Sequence, residues 1–493
     1  MIFFSRSLHK GLTAIIIILS LFSVMLYASD EPTLPAGLFG SQSSKENQPA
    51  LPSGLGVGLT DPSDHDDAPS LPSGLETSLP SASTESDIPK ESWMDITGFW
   101  EVRSGYRLQN DKYQKDTSLG EARLQLEMEK LWNGFSFNVT TDLYYDWVDE
   151  NHSVDLETGE GFLDLREASA AYSPFDFMDI KLGRQILTWG TGDLVFINDL
   201  FPKDWQSFLL GRDTEYLKAP SDALKASFFT DLANIDVVYT PRFDSDRHIT
   251  GECLSYWNGS RIAGNDDIIR TDKPDDWFDD DEWVVRTSKN VGGYELAAYG
   301  YWGYWKSPAG FDASTSKYTF PKLNVYGASA RGQVGRGIGN IEIGYYDSRG
   351  DDSGDDPFTN NSQMRYLVGY ERDLPEIASD FTVGLQYYLE QMLDYAGYKR
   401  ILPAGSEAAD EYRHLLTFRI TKLYWNQNLT CSLFTFYSPS DEDAYVRPNV
   451  HYKVNDNLAV EAGANIFWGD SPHAFFGQFE DNTNLYAAIR RSF

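Results

Sequence analysis

From Ile96 to the end of the chain, apolar and polar side chains alternate with a period of two, which places successive residues on opposite faces of an extended strand. Between Glu121 and Lys130, Ala122, Leu124, Leu126 and Met128 take one face. Glu121, Arg123, Gln125, Glu127 and Glu129 take the other. A helix cannot separate residues in this way, because its period is 3.6. Phe135, Phe137, Val139, Thr141, Leu143 and Tyr145 repeat the pattern, as do Phe381, Val383, Leu385, Tyr387 and Leu389. Strands of about ten residues with one apolar face suit a tilted crossing of a bilayer.

The alternation predicts about 18 such strands. They begin near 97, 119, 134, 162, 177, 221, 233, 282, 293, 321, 338, 363, 380, 411, 427, 444, 458 and 483. Connections alternate too. Short ones fall at 131–134, 173–176, 334–337 and 455–457, and long ones at 148–161, 189–220, 242–281, 306–320, 348–362 and 393–410. Short turns at one end and long loops at the other are the topology of an all-β transmembrane antiparallel barrel with 16–18 strands, an even number, and both termini on the periplasmic side. A soluble β-sandwich also alternates, but it does not impose a strict short/long order on its connections. Trp132, Tyr144, Tyr145, Trp147, Trp302, Trp305, Tyr387, Tyr388, Tyr424, Trp425 and Trp468 collect near strand ends, where interfacial girdles are expected.

Ahead of the barrel, Arg6, His9 and Lys10 precede an apolar run from Leu12 to Leu26, followed by Ala28 and Ser29. Residues 1–28 are therefore expected to be a secretory signal peptide. Residues 29–92 are rich in Pro, Ser and Gly, the composition of a disordered periplasmic tail. The tail repeats one pattern, at Leu34-Pro35-Ala36-Gly37-Leu38, Leu51-Pro52-Ser53-Gly54-Leu55 and Leu71-Pro72-Ser73-Gly74-Leu75. Such repeats on a tether suit either a periplasmic partner bound through avidity or a plain spacer. Residues 93–493 form the predicted barrel.

Charge narrows the function. With 41 Lys+Arg against 74 Asp+Glu, the formal charge is −33, which disfavours nucleic acid as a partner. Apart from the leader, no apolar run is long enough for a membrane helix, so a polytopic helical transporter is excluded. The cysteines, Cys253 and Cys431, lie far apart in unlike contexts, and a disulfide between them stays open.

The last strand, Asn484-Leu485-Tyr486-Ala487-Ala488-Ile489-Arg490-Arg491-Ser492-Phe493, resembles the carboxyl-terminal signal by which bacterial outer-membrane barrels are recognised for assembly, with Phe493 as its terminal aromatic residue. Arg491 departs from that pattern, which usually has an apolar or aromatic residue there. Ile180-Lys181-Leu182-Gly183-Arg184-Gln185, followed by Trp189-Gly190, is similar to the Gly-Arg-Gln strand of alginate-export barrels and related large porins. The resemblance implies a channel in the outer membrane of a Gram-negative bacterium. It also implies contact with outer-membrane lipid, lipopolysaccharide and the barrel assembly machinery, and an arginine-rich lumen for polar or anionic solutes, among them an anionic saccharide.

If the apolar parity faces lipid, the other parity lines the lumen. It contains Arg103, Arg107, Arg123, Arg286, Arg365, Arg413 and Arg419. A lipid-facing arginine near the bilayer midplane costs about 2–4 kcal/mol, so the lumen is the cheaper place. Two roles compete for these side chains: an arginine ladder passing anionic groups from station to station, or wall-stiffening pairs with Glu121, Glu127, Glu129 and Asp142. Arg184 shares parity with Ile180 and Leu182, which calls for a bulge at Gly183 or a place near the headgroups. The strand from Leu163 to Tyr172 shows no clean face.

The 189–220 connection mixes Phe196, Ile197, Leu200, Phe201, Trp205, Phe208 and Leu209 with Lys203, Asp204, Arg212, Asp213, Glu215 and Lys218. So apolar a loop is favoured by folding inward to narrow the pore, where its charges form a constriction; the rival is a cap over the barrel or a subunit contact. Two acidic stretches, Asp266 to Glu282 and Asp347 to Asp356, are expected to form a solvated rim that disfavours anions at the mouth; divalent cation binding is the rival reading. No cofactor, resident metal or catalytic residue is implied. His152 and His473 lie in loops near Asp149, Glu150 and Asp470, where a barrel protease or acyl hydrolase would place a site, yet no nucleophile accompanies them and an enzyme is not expected. A structural barrel that docks a periplasmic partner through its tail is the third class.

Overall fold

A computed structural model of the chain describes residues 94–148, 153–403 and 408–493. The expected signal peptide, the expected tail with its repeats, and His152 lie outside the described residues. Eighteen antiparallel strands follow one another in chain order: β1 (Asp95–Arg107), β2 (Thr117–Trp132), β3 (Phe135–Asp146), β4 (Leu163–Phe175), β5 (Met178–Ile186), β6 (Pro220–Phe229), β7 (Asn234–Thr240), β8 (Glu282–Val291), β9 (Tyr294–Tyr304), β10 (Lys322–Val334), β11 (Gly337–Ser348), β12 (Gln363–Asp373), β13 (Phe381–Met392), β14 (Tyr412–Tyr424), β15 (Leu429–Ser438), β16 (Asp443–Asn455), β17 (Leu458–Gly469) and β18 (Asn484–Ser492). Each pairs with its neighbour, and β18 returns to pair with β1 from Phe99↔Ser492 to Arg107↔Asn484, so no edge is left open. Phe493 completes the seam by donating its backbone N–H to Gly98 at 3.0 Å.

Every strand starts within two residues of its predicted position. Between β2 and β3 the whole connection is Asn133-Gly134, both with positive φ (48° and 83°), the two-residue hairpin turn that matches strand twist. The turns at 176–177, 292–293, 335–336 and 456–457 are equally short and lie at the same end. At the opposite end run the connections 187–219, 241–281, 305–321, 349–362 and 393–411. The first of these contains helix α1 (Trp205–Leu210) and the last contains helix α2 (Tyr395–Ile401).

Alternation in sequence becomes alternation in burial. Along β1, Phe99, Glu101, Arg103 and Arg107 are buried inside, whereas Trp100, Val102 and Tyr106 stand on the outer face. Leu182, Leu296, Ile341, Val368, Leu385, Leu485 and Ile489 continue that outer apolar surface around the ring. So broad an apolar exterior suits acyl chains and not water. Tyr145, Trp147, Trp132, Trp302, Tyr387 and Trp425 face outward as expected. Tyr144, Trp305 and Tyr388 do not: Tyr144 stacks under the Arg123 guanidinium, and Trp305 and Tyr388 are buried within the barrel.

The two ambiguous strands have physical explanations. In β4 the pairing with β3 slips between Thr140↔Glu167 and Thr141↔Leu165, leaving Arg166 as an extra residue. That bulge reverses the parity, so Asp164 and Arg166 point inward before it and Ser169 after it. In β5 the register runs unbroken through Gly183, so there is no bulge. Arg184 keeps the outer parity of Leu182, two residues before the long-loop end of β5, and forms a fork on Asp222 of β6 at 2.9 and 2.8 Å. Cys253 and Cys431 are not joined in a disulfide.

Candidate functional site

The barrel interior is crossed by the 187–219 loop. In an 18-membered ring, strands nine places apart face each other across the diameter, and the loop uses two such pairs. It leaves β5 and reaches β14 opposite, where Arg419 holds Asp193 at 2.5 and 2.7 Å. Glu342 on β11 accepts the backbone N–H groups of Thr191, Gly192 and Asn198 and the Asn198 side-chain amide. Opposite β11, on β2, Glu121 receives Arg212 from the far end of the loop. Smaller ties complete the docking: Tyr346 donates to the Ile197 carbonyl, Tyr445 to that of Phe208, Arg103 to that of Gly211, and Arg166 to those of Glu215 and Lys218.

Apolar residues explain why the loop stays inside. Ile197, Phe201, Phe208, Leu209, Leu210 and Leu217 are all buried, in one cluster with Tyr346, Tyr388, Phe434, Phe436, Tyr445 and Phe467 of the wall. Helix α1 is capped by Asp204, whose side chain accepts the Ser207 N–H, and ends at Gly211 in the left-handed conformation (φ 98°). The loop therefore folds inward, as its composition predicts, and does not cap the barrel mouth.

Its charged residues mostly anchor it. Lys203 pairs with Asp199 at 3.0 Å. Asp204 caps the helix, and Arg212 is held by Glu121. Asp213 and Glu215 both meet Arg490 of β18 at 3.3 Å. Burial, reinforced by the charge of Asp213, pushes the Glu215 carboxyl above its ordinary range, and burial pulls Lys218 below its own. Of these residues, Arg212, Asp213 and Glu215 bond the loop to the wall, whereas Lys203 and Asp204 bond groups of the loop itself. Arg212 and Asp213 still border open space.

All seven arginines singled out in the sequence are on wall strands and inside the outer apolar face, but they do not form a bare ladder. Arg103 is shared by Glu101 and Glu461, and Arg123 by Glu121 and Asp142. Arg286 binds Glu295, Arg365 lies 3.3 Å from Glu390, Arg413 binds Asp441, and Arg419 binds Asp193. No carboxylate of the described residues pairs with Arg107. Its guanidinium is used by the carbonyls of Lys115, Thr117 and Cys253 beneath the outer loops. A guanidinium inside a low-dielectric wall needs such compensation, since an unpaired buried charge is costly. The partners Glu461 and Asp193 come from segments hundreds of residues away, which alternation cannot reveal.

Open space remains beside the loop. A cavity of about 550 Å³ lies toward the long-loop end, bordered by Phe196, Trp205, Trp305, Arg365, Glu390 and Arg413. Another of about 250 Å³ lies deeper, bordered by Arg212, Arg419, Arg447, Asn449, His451 and Glu461; Leu194 borders both. Arg447 was not singled out in the sequence, nor was Arg490, yet both were legible. Arg447 shares the inner parity of Tyr445, and Arg490 alternates with the outward Leu485 and Ile489.

At the rim, the acidic stretches are not uniformly solvated. Glu282 is buried and paired with Lys306 at 2.7 Å. Asp351 accepts the N–H groups of Ser353, Asp355 and Asp356 and shapes its own loop. Burial first, and then the charge of Glu282, raise the Asp244 carboxyl to about 6. His473 lies beside the Trp257 ring.

No family model matches the chain, and no curated protein matches it. Among solved structures it is similar to Acinetobacter baumannii OccAB4, with a TM-score of 0.49 and 8% identity over 82% of this chain and 99% of that one. It is also similar to Acinetobacter baumannii OccAB3, with a TM-score of 0.48 and 11% identity over 81% and 99%. A triple mutant of the Rhodopseudomonas blastica porin aligns with a TM-score of 0.37 and 12% identity over 81% and 100%.

Proposed function

We propose that this chain is an outer-membrane channel that passes small anionic solutes passively through a lumen narrowed by its 187–219 loop. The observation that carries the reading is the pair of cavities left on either side of Leu194, bordered by Arg365 and Arg413 in one and by Arg212, Arg419 and Arg447 in the other. Guanidinium groups bordering both cavities give the lumen a positive lining for carboxylate or phosphate groups, while the aromatic lining of the larger cavity accepts an apolar body or the face of a sugar ring. The outer apolar surface, the even strand count and both barrel ends on the short-turn side support an outer-membrane location in a Gram-negative cell. Phe493, bonded into the seam, is the residue we assign to recognition by the barrel assembly machinery.

An anionic saccharide remains within this solute class on the strength of the lumen alone. The Gly183-Arg184-Gln185 motif that resembles alginate-export barrels does not add to it, because Arg184 is spent on Asp222 at the outer face. The test is single-channel recording of the refolded chain in a planar bilayer, with a KCl gradient to read the reversal potential. Discrete steps with anion preference are expected. Cation preference would overturn the choice of solute charge, and silence from folded protein would overturn the channel itself.

A further inference from the structure

Arg447 on β16 differs from every other buried arginine among the described residues. Arg103, Arg123, Arg166 and Arg247 each have a carboxylate within ion-pair distance, and Arg107 has three backbone carbonyls. Arg447 is only 8% exposed, yet no carboxylate or carbonyl of the described residues pairs with it, and its Nε has no hydrogen-bond partner. Its guanidinium lies over the Phe208 ring of α1 at 4.2 Å and near the Tyr445 ring at 5.9 Å. These rings lie beside the group but supply no carboxylate or carbonyl acceptor.

A buried guanidinium without an anion is a costly arrangement unless something mobile supplies one. The space beside it is the 250 Å³ cavity, whose other polar borders include donors: Asn449, His451, Ser432 and the Arg212 and Arg419 guanidiniums. The carboxylates there are already engaged, Glu461 by Arg103 and Asn449, and Asp213 by Arg490. We infer that Arg447 is the anion-binding station of this lumen, taking the carboxylate group of a small organic acid in a bidentate grip against the Phe208 ring. The paired arginines hold the wall and the loop, and among the buried arginines of the described residues Arg447 alone has its hydrogen-bonding edge free for the solute. This rests on the anion-channel reading and narrows it to one residue and one class of anion.

The experiment compares the full-length refolded protein with Arg447→Gln and Arg447→Lys, using Arg336→Gln in an exposed turn as a charge-matched control. Heat-modified electrophoretic migration selects folded barrels. Reversal potentials are read in gradients of KCl and of potassium acetate. Arg447→Gln is expected to lower the acetate-to-potassium permeability ratio at least threefold, Arg447→Lys to fall between it and wild type, and Arg336→Gln to stay within the wild-type range. An unchanged ratio in Arg447→Gln, with currents present, overturns the inference and leaves the channel standing. If folded wild type carries no current, the channel reading fails, and calorimetric titration of the detergent-solubilised barrel with sodium acetate decides the site. Heat seen in wild type and lost in Arg447→Gln supports it; equal heats, or none in either, overturn it.

Discussion

Asp193 in the lumenal loop and Arg419 on β14 face each other through two bonds, of 2.5 and 2.7 Å, across the barrel from the strand where the loop begins. A bidentate pair of this kind fixes orientation as well as position. Both side chains retain partial contact with solvent, 41% exposed for Asp193 and 32% for Arg419, which limits the pair to about 1 kcal/mol or less. Asp193→Asn should therefore loosen the loop without unfolding the barrel. Brief excursions to a higher conductance level, a few-fold more frequent than in wild type, are expected in single-channel records, and an unaltered record would argue against this anchor.

Glu342 is the stronger tether. It is 2% exposed and serves three backbone N–H groups and one side-chain amide of the loop. Glu342→Ala leaves those donors without an acceptor, at a cost of about 1–3 kcal/mol. Limited proteolysis of the folded variant should cut within 187–219 while the barrel strands stay protected. Resistance equal to wild type would show that the apolar cluster alone suffices to dock the loop.

Gly183 has φ of +115°, and a Cβ there would lie 2.3 Å from the Ala168 carbonyl oxygen of the neighbouring strand. Only the strands' shared backbone occupies that space, so nothing flexible can yield. Gly183→Ala should lower barrel stability by about 1–3 kcal/mol, the ordinary cost of a strained backbone position. Urea titration in detergent reads the loss, and an unshifted midpoint would contradict it.

Asp244, in the loop after β7, has its carboxyl raised to about 6 by burial and by Glu282, against the pull of Lys306 and Ser221. The folded state thus keeps this proton after the unfolded chain has released it near the usual 3.8. Between those values the folded state binds more protons, so stability falls as pH rises, by up to about 3 kcal/mol, and then levels off. Asp244→Asn should remove that decline, becoming more stable than wild type at neutral pH and equal to it near pH 4. Urea midpoints of the two proteins at several pH values check the sign, and parallel curves would refute it.

The barrel was legible because burial on a two-sided wall leaves its period in every strand, as the outward Val102 and inward Arg103 show. Where the period broke, at Arg166, a single extra residue was the cause, and one strand read in isolation cannot distinguish a bulge from noise. The lumen was legible in residue type and not in pairing. Arg103 reaches Glu461, and Arg490 reaches Glu101, through a ring closure that only the seam creates. The inward loop was announced by its rings, but the employment of Arg212 and Asp213 as anchors depends on which wall strand each meets.

The loop that joins β5 to β14 and β11 to β2 acts on the ring as spokes act on a wheel rim. An empty hoop of strands can flatten into an ellipse when the surrounding bilayer stretches or thins. A hoop braced along two diameters resists that distortion, so the bore of this barrel is set by its own chain and should hold its width as membrane tension changes.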